Sequence, residues 1–313
     1  MSVEIEEKLE KIPGINLLVR FLKRIKLPGF EGLSLYDLFE MYIIGIVQGA
    51  LTTRASAIAF SFFTAIFPFL LFVIIIIPYI PIDNFQEQFL VFLDSFLPPQ
   101  TSDFFNENIF ENINKSNKAG LLSTIFLLSL ILMANGVSAV FSGFEHSYHD
   151  QLTRSVIKQY LYALGVAIIL AFLVIVTVGV LGYFEIYIVQ NLKDYGYIDS
   201  NQEQLGVVIG KYAFFIIMIY LATATLYYFG TKEGRLSKFF SVGALLTTLL
   251  ILLTSYLFGL YIENFSKFNE LYGSIGALLI LLFYLWLNAN ILLLGFELNI
   301  SLYKLREKSV KDE

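Results

Sequence analysis

Charged residues cut this chain into blocks, and the blocks between them are almost continuously apolar. Six charge-free intervals stand out: 55–82 (28 residues), 119–144 (26), 159–184 (26), 212–231 (20), 239–262 (24) and 271–296 (26). About 20 apolar helical residues cross the roughly 30 Å hydrocarbon layer of a bilayer. Backbone N–H and C=O groups cannot be left unpaired there, so runs of this kind are helices. Strands of a membrane barrel would instead alternate apolar and polar positions over about ten residues. The pattern predicts an all-α polytopic membrane protein with six transmembrane helices, over about 55–82, 119–144, 159–190, 207–231, 239–262 and 271–302. A loop at 83–118 separates the first two. A seventh charge-free interval, 41–53, has only 13 residues and is too short to span.

The residues ahead of the first span follow a different pattern. Leu17, Leu18, Val19, Phe21 and Leu22 interleave with Arg20, Lys23, Arg24 and Lys26. Such a segment can lie on an anionic leaflet with its apolar face down. Ser34 through Asp37 has the spacing of a capping box. After it Leu35, Leu38, Phe39, Tyr42, Ile43 and Ile46 recur at helical spacing. This predicts a second amphipathic helix, over 34–53, along the inner interface. The organisation is then an interfacial N-terminal segment (1–33), a transmembrane domain (34–302) and a short charged tail (303–313). No repeat of fixed period is visible, and neither is an inverted repeat of the kind found in transporters.

Composition sharpens this picture. Charged residues are 15% and hydrophobic residues 57%, against about 25% charged in a soluble domain. That excludes a disordered or fibrous chain and a soluble enzyme. With six spans, both termini share a side. That side holds 16 of the 21 Lys and Arg residues, and the loops opposite hold 5. The positive-inside rule then places both termini in the cytoplasm. The net charge of −5 argues against nucleic acid as a partner. With no cysteine there is no disulfide framework, thiolate metal site or cysteine nucleophile. The N-terminus lacks the apolar core and small-residue cleavage site of a signal peptide, so the first span is expected to direct insertion.

Polar residues within spans are the best pointers to function in such a protein. The last span is the richest, with Tyr284, Asn288, Asn290, Glu297 and Asn299. Asn290 and Glu297 are seven apart and share a helix face. An ionisable Glu297 needs a partner, and Arg54 or the 232–238 loop can supply one. It could be a relay or headgroup contact, or a structural ion pair. Arg54 opens the first span and could hold a lipid phosphate or serve as an ordinary anchor. Small residues follow it at 55, 57, 59, 61 and 65, allowing close helix approach. Pro68 should kink that helix, with Ser61 and Thr64 able to satisfy freed carbonyls. Asn135 and Gly136 read as a packing notch or a groove. Tyr272, Gly273, Ser274 and Gly276 open the last span and suit close packing at the interface belt. His146, His149 and Asp150 could share a helix face as a weak metal site, but no second cluster completes it. There is no HExxH, P-loop or G-x-S-x-G pattern. Neither an enzyme nor a cofactor is therefore expected.

At these residues the chain resembles a known family, the YihY/BrkB bacterial inner-membrane proteins, once labelled ribonuclease BN. Three pieces carry the resemblance, which covers roughly residues 40–303. One runs from Arg54-Ala55-Ser56-Ala57 through Ser61 to Phe67-Pro68, and another pairs Tyr148 with Arg154. The most specific is Leu271-Tyr272-Gly273-Ser274-Ile275-Gly276-Ala277 with the later Leu293-Leu294-Gly295-Phe296-Glu297-Leu298-Asn299. Glu145 stands where the family usually has Asn. The resemblance implies six helices in a bacterial plasma membrane and a link to envelope lipids and serum resistance. The function expected is a transporter or flippase-like handler of envelope lipids without its own ATPase. Membrane lipids are then the partners, and Arg54, Ser61, Tyr148, Arg154, Asn290, Glu297 and Asn299 the headgroup contacts. Two alternatives stay open. One is a small-solute or cation transporter using Glu297, Asn290 and Asn288. The other is a scaffold holding envelope proteins through its 83–118 loop.

Overall fold

A computed structural model describes residues 15–25, 34–37, 39, 50–76, 119–145, 154–183, 203–232, 238–265 and 274–312. Among them the chain is all-helical, with no β-strand. A short helix, α1 (Ile15–Arg24), precedes six long ones: α2 (Ala50–Ile76), α3 (Ala119–Glu145), α4 (Val156–Tyr183), α5 (Glu203–Gly230), α6 (Val242–Phe265) and α7 (Ser274–Asp312). Five are long and apolar enough to cross a membrane, over Phe126–Glu145, Val156–Leu181, Tyr212–Gly230, Val242–Ile262 and Leu278–Tyr303. The sixth expected span falls on α2, which carries one charge, Arg54, and has Pro68 within it.

The capping box forms as its spacing predicts. The Ser34 amide donates to Asp37 Oδ2 at 2.6 Å, and the Asp37 amide donates back to Ser34 Oγ at 3.3 Å. Lys23 of α1 lies 5.1 Å from the centre of the Tyr36 ring, and the Leu35 amide bonds the Ile25 carbonyl. Most of the helix expected over 34–53 falls outside the described residues. Its last four positions, 50–53, lie in α2 (Ala50–Ile76), which runs through Arg54 unbroken. At the other end, α7 has 39 residues and continues through the tail to Asp312. At 1.5 Å per residue that is roughly 58 Å, well beyond one bilayer crossing.

The long helices close a ring. Helix α2 packs between α3 and α7, α3 against α4, α4 against α5, α5 against α6, and α6 against α7; α3 also reaches α5 and α7 across the ring. The α2–α3 pair is antiparallel and close. Arg54 meets the Gly143 carbonyl, Ile58 lies against Gly143, and Ser61 and Ala65 face Gly136. Further along, Ser129 Oγ donates to the Pro68 carbonyl at 2.6 Å. The helix runs on through Pro68, and Thr64 Oγ1 donates to the Ser61 carbonyl.

The core is lopsided along the ring axis. The largest fully buried side chains include Phe141, Phe144, Phe296, Leu51, Ile58, Leu293 and Leu298. They come from the start of α2, the end of α3 and the stretch of α7 around Glu297. Farther up, Ile209, Tyr212, Phe215, Ile216 and Ile217 of α5 are exposed, as are Tyr256, Leu257, Leu260, Tyr261 and Ile262 of α6. At 100° per residue these positions go around most of each helix.

Candidate functional site

The densely packed end gathers most of the polar candidates. Glu297 lies on α7 within an apolar run, where an isolated carboxylate is costly. Its Oε1 accepts from Arg54 Nη1 at 3.3 Å and Nη2 at 3.2 Å. Arg54 Nη1 also donates to the Gly143 carbonyl at 2.8 Å. Arg54 is one of the two partners the sequence offered Glu297; residues 233–237 of the other lie outside the described residues. The side chains are only 12% and 9% exposed, so this is a largely desolvated ion pair tying α2, α3 and α7 together.

Two residues further along α7, Asn299 serves the start of another helix. Its Oδ1 accepts from the Gly243 amide at 2.8 Å, and its Nδ2 donates to Ser241 Oγ at 2.8 Å. Ser241 in turn accepts from the Ala244 amide at 3.3 Å. The first orphan amides of α6 are thus capped by Ser241 and by a side chain from α7. This cap explains why α6 begins at Val242 rather than at 239.

Gly295 lies two residues before Glu297, and it is glycine because α6 crosses α7 there. A Cβ on Gly295 would overlap Thr247 Oγ1 and fall 2.5 Å from Tyr227 Oη. A Cβ on Gly243 would overlap the Gly295 carbonyl. Tyr227 Oη donates to the Leu292 carbonyl at 2.7 Å and lies 2.5 Å from Thr247 Oγ1. Its one proton goes to the carbonyl, so Thr247 is the donor between the two hydroxyls. Phe144 and Phe296 stack face to face at 4.1 Å, with Tyr227 edge-on to both.

Arg154 completes the arrangement from the residues just before α4. It is buried. Its Nη1 donates to the carbonyls of Phe229 and Gly230, at 2.7 and 3.4 Å. These are the last carbonyls of α5, where a cation suits the negative helix end. The guanidinium also lies 4.4 Å from the centre of the Tyr162 ring. The Arg154 amide donates to Glu145 Oε1 at 3.2 Å, a role for the residue that departs from the resembled family's usual Asn.

All six long helices meet in this clasp. The structure brings Arg54, Arg154, Glu297 and Asn299 to one end, each engaged with the protein itself. Asn290 is buried about two turns from Glu297 and donates to the Trp286 carbonyl at 2.7 Å. Ser61 and Gly136 lie farther along the α2–α3 contact, away from the clasp. Asn135, next to Gly136, turns outward and is exposed rather than packed in the notch. Gly276 is buried and Ser274 is the first residue of α7. Tyr148, His146, His149, Asp150, Tyr272 and Gly273 lie outside the described residues. Among the described residues no three His, Cys, Asp or Glu side chains group as a metal site. Sequence reasoning missed Tyr227, Thr247, Ser241 and the Gly143 carbonyl. The small polar run Thr223-Ala224-Thr225 before Tyr227 and the pair Thr247-Thr248 were the available signals.

Comparison with known proteins places the chain among membrane proteins. The sequence profile of the virulence factor BrkB family matches residues 45–313. The ribonuclease-like protein YfkH of Bacillus subtilis (strain 168) is 24% identical over 280 residues, covering 89% of this chain and 98% of that protein. A UPF0761 membrane protein of Haemophilus influenzae (strain 86-028NP) is 20% identical over 264 residues, covering 83% and 93%. A UPF0761 membrane protein of Psychrobacter sp. (strain PRwf-1) is 21% identical over 284 residues, covering 88% of this chain and 50% of that one. No solved structure matches the chain.

Proposed function

Because the chain belongs to the virulence factor BrkB family, a multi-pass membrane family, we propose that it is a transporter or flippase-like handler of amphipathic envelope lipids, closed at its clasp end. The observation that carries this reading is the lopsided packing. One end is sealed by the Arg54–Glu297 pair and the Phe144–Phe296–Tyr227 cluster. The far halves of α5 and α6 leave apolar and aromatic side chains exposed around most of their circumference. A helix that only lines a bundle needs one lipid-facing stripe. The wider apolar surface suits acyl chains, and the charged end suits the headgroup level. No nucleotide-binding motif accompanies it, so movement is passive or ion-coupled.

In this reading the chain sits in the bacterial inner membrane with six spans, α2 included, and the basic clasp end faces the cytoplasm. Membrane lipids are its partners, and it is not an enzyme: purified protein should leave RNA intact. The test is reconstitution in liposomes carrying a headgroup-labelled phospholipid and a membrane-impermeant quencher. Vesicles holding the protein should expose inner-leaflet lipid faster than empty ones. Identical rates across several anionic and zwitterionic headgroups would remove lipid movement as the function.

A further inference from the structure

Polar side chains inside these spans follow a common habit. Thr177, Thr223, Thr225, Thr248 and Ser255 each donate to the carbonyl four residues back. Asn288 and Asn290 do the same with their carboxamides. A polar group in hydrocarbon without a partner is expensive, and this local bond satisfies it.

Asn135 departs from the habit. It lies at the middle of the apolar stretch Phe126–Glu145. Gly136 turns toward α2, which sends Asn135 outward, where it is exposed. The carbonyl four residues back, that of Ile131, accepts instead from Tyr160 Oη at 3.3 Å. No hydrogen bond among the described residues engages the Asn135 carboxamide. On the same face, Leu128 and Ile131 are 51% and 49% exposed, at spacings that put them in line with Asn135.

We propose that this face of α3 is a self-association surface, with the Asn135 carboxamides of two copies hydrogen-bonded to each other inside the bilayer. Lipid tails offer neither donor nor acceptor, whereas a carboxamide carries both and is complementary to itself. Copies of one chain share an orientation in the membrane, so Asn135 sits at the same depth in each. A two-fold axis along the membrane normal brings that residue against its own copy, as an isologous contact requires. Leu128 and Ile131 supply the apolar packing beside it, and interhelical amide bonds are an established adhesive between membrane helices. The inference stands independently of lipid handling.

The absence of cysteine makes the test direct, since any introduced cysteine is the only one present. Leu128→Cys and Ile131→Cys are placed singly in the full chain and oxidised in native membranes. Both should cross-link to dimers, because a disulfide needs Cα atoms within about 7 Å. Leu253→Cys on α6, comparably exposed at 53%, should not. Asn135→Leu should weaken the dimer roughly three- to thirty-fold in reconstituted bilayers, while Asn135→Gln retains it. Unchanged melting of the monomer separates this effect from misfolding. Cross-linking at 128 and 131 no greater than at 253 overturns the proposal. So does an Asn135→Leu protein that dimerises like the parent, or a photoactivatable phospholipid captured at 131 in a chain that stays monomeric.

Discussion

At the residue scale, three positions within five residues of α7 each meet a different neighbour. Gly295 lets α6 cross, Glu297 holds Arg54 of α2, and Asn299 caps α6. These contacts give the motif Leu-Leu-Gly-Phe-Glu-Leu-Asn a physical content: it is a joint. Gly295→Ala places a methyl where Thr247 and Tyr227 already stand, so α6 and α7 must separate. We expect a loss of about 1–3 kcal/mol, typical of overpacking. Gly259→Ala is the control, because a Cβ there meets nothing within 4 Å. It should stabilise the helix by about 0.5–1 kcal/mol. Thermal unfolding in one detergent should therefore move in opposite directions for the two variants, and a shared direction would contradict the crossing. Glu297→Gln leaves the Arg54 guanidinium largely buried without its counter-charge. Breaking such a pair costs about 3 kcal/mol, more than the pair is worth against neutral residues. The double variant Arg54→Gln/Glu297→Gln should therefore be destabilised by less than the sum of the two singles. Additive losses would mean that the two side chains act separately.

At the element scale, helix ends carry much of the specificity. Arg154 is not part of a span, yet it terminates α5 through two carbonyls and stacks on Tyr162 of α4. Arg154→Ala should cost about 2 kcal/mol, as for hydrogen bonds from a charged donor. It should also speed hydrogen exchange at amides 226–230 more than elsewhere in α5. Arg154→Lys keeps the charge but lacks the planar fork, so it should restore only part of the protection; full restoration would reduce the contact to simple charge. Element existence was legible in the sequence because an apolar run bounded by charges has one stable form in lipid. The Ser34–Asp37 cap was legible for a similar reason, since both partners lie within one turn. Boundaries were less legible. The start of α6 was read at 239 from the last charge, but Asn299, some 56 residues away in sequence, sets it at Val242 through the Gly243 amide. Tyr227 and Thr247 escaped notice because a hydroxyl in an apolar run usually bonds its own helix, as Thr223 and Thr225 do. Nothing local says which hydroxyl will reach across.

At the scale of the whole molecule, the count of spans decides the topology, and α2 decides the count. Five crossings put the termini on opposite sides, and six put them together. Helix α2 has 27 residues and a single charge, Arg54 near its start; the 22 residues from 55 to 76 carry none. Its register argues for a full crossing. From Arg54 against Gly143 to Pro68 against Ser129, α2 follows α3 antiparallel over 14 residues of each helix, roughly 21 Å of rise. A helix bound that closely to a spanning neighbour occupies the same depth of the bilayer. Arg54 does not oppose this, because its charge is matched by Glu297 at the clasp rather than left in hydrocarbon. With six spans, 16 of the 21 basic residues fall on the side of the termini, which is the cytoplasmic side under the positive-inside rule. The chain's lack of cysteine again allows a direct measurement. Ser2→Cys and Ser309→Cys, each treated with an impermeant maleimide, should both react in inside-out vesicles and be protected in intact cells. Reaction from opposite sides would leave five crossings and place α2 along the surface. The clasp would then be a peripheral joint instead of the closed inner end of a bundle, and lipid movement through the ring would lose its structural basis.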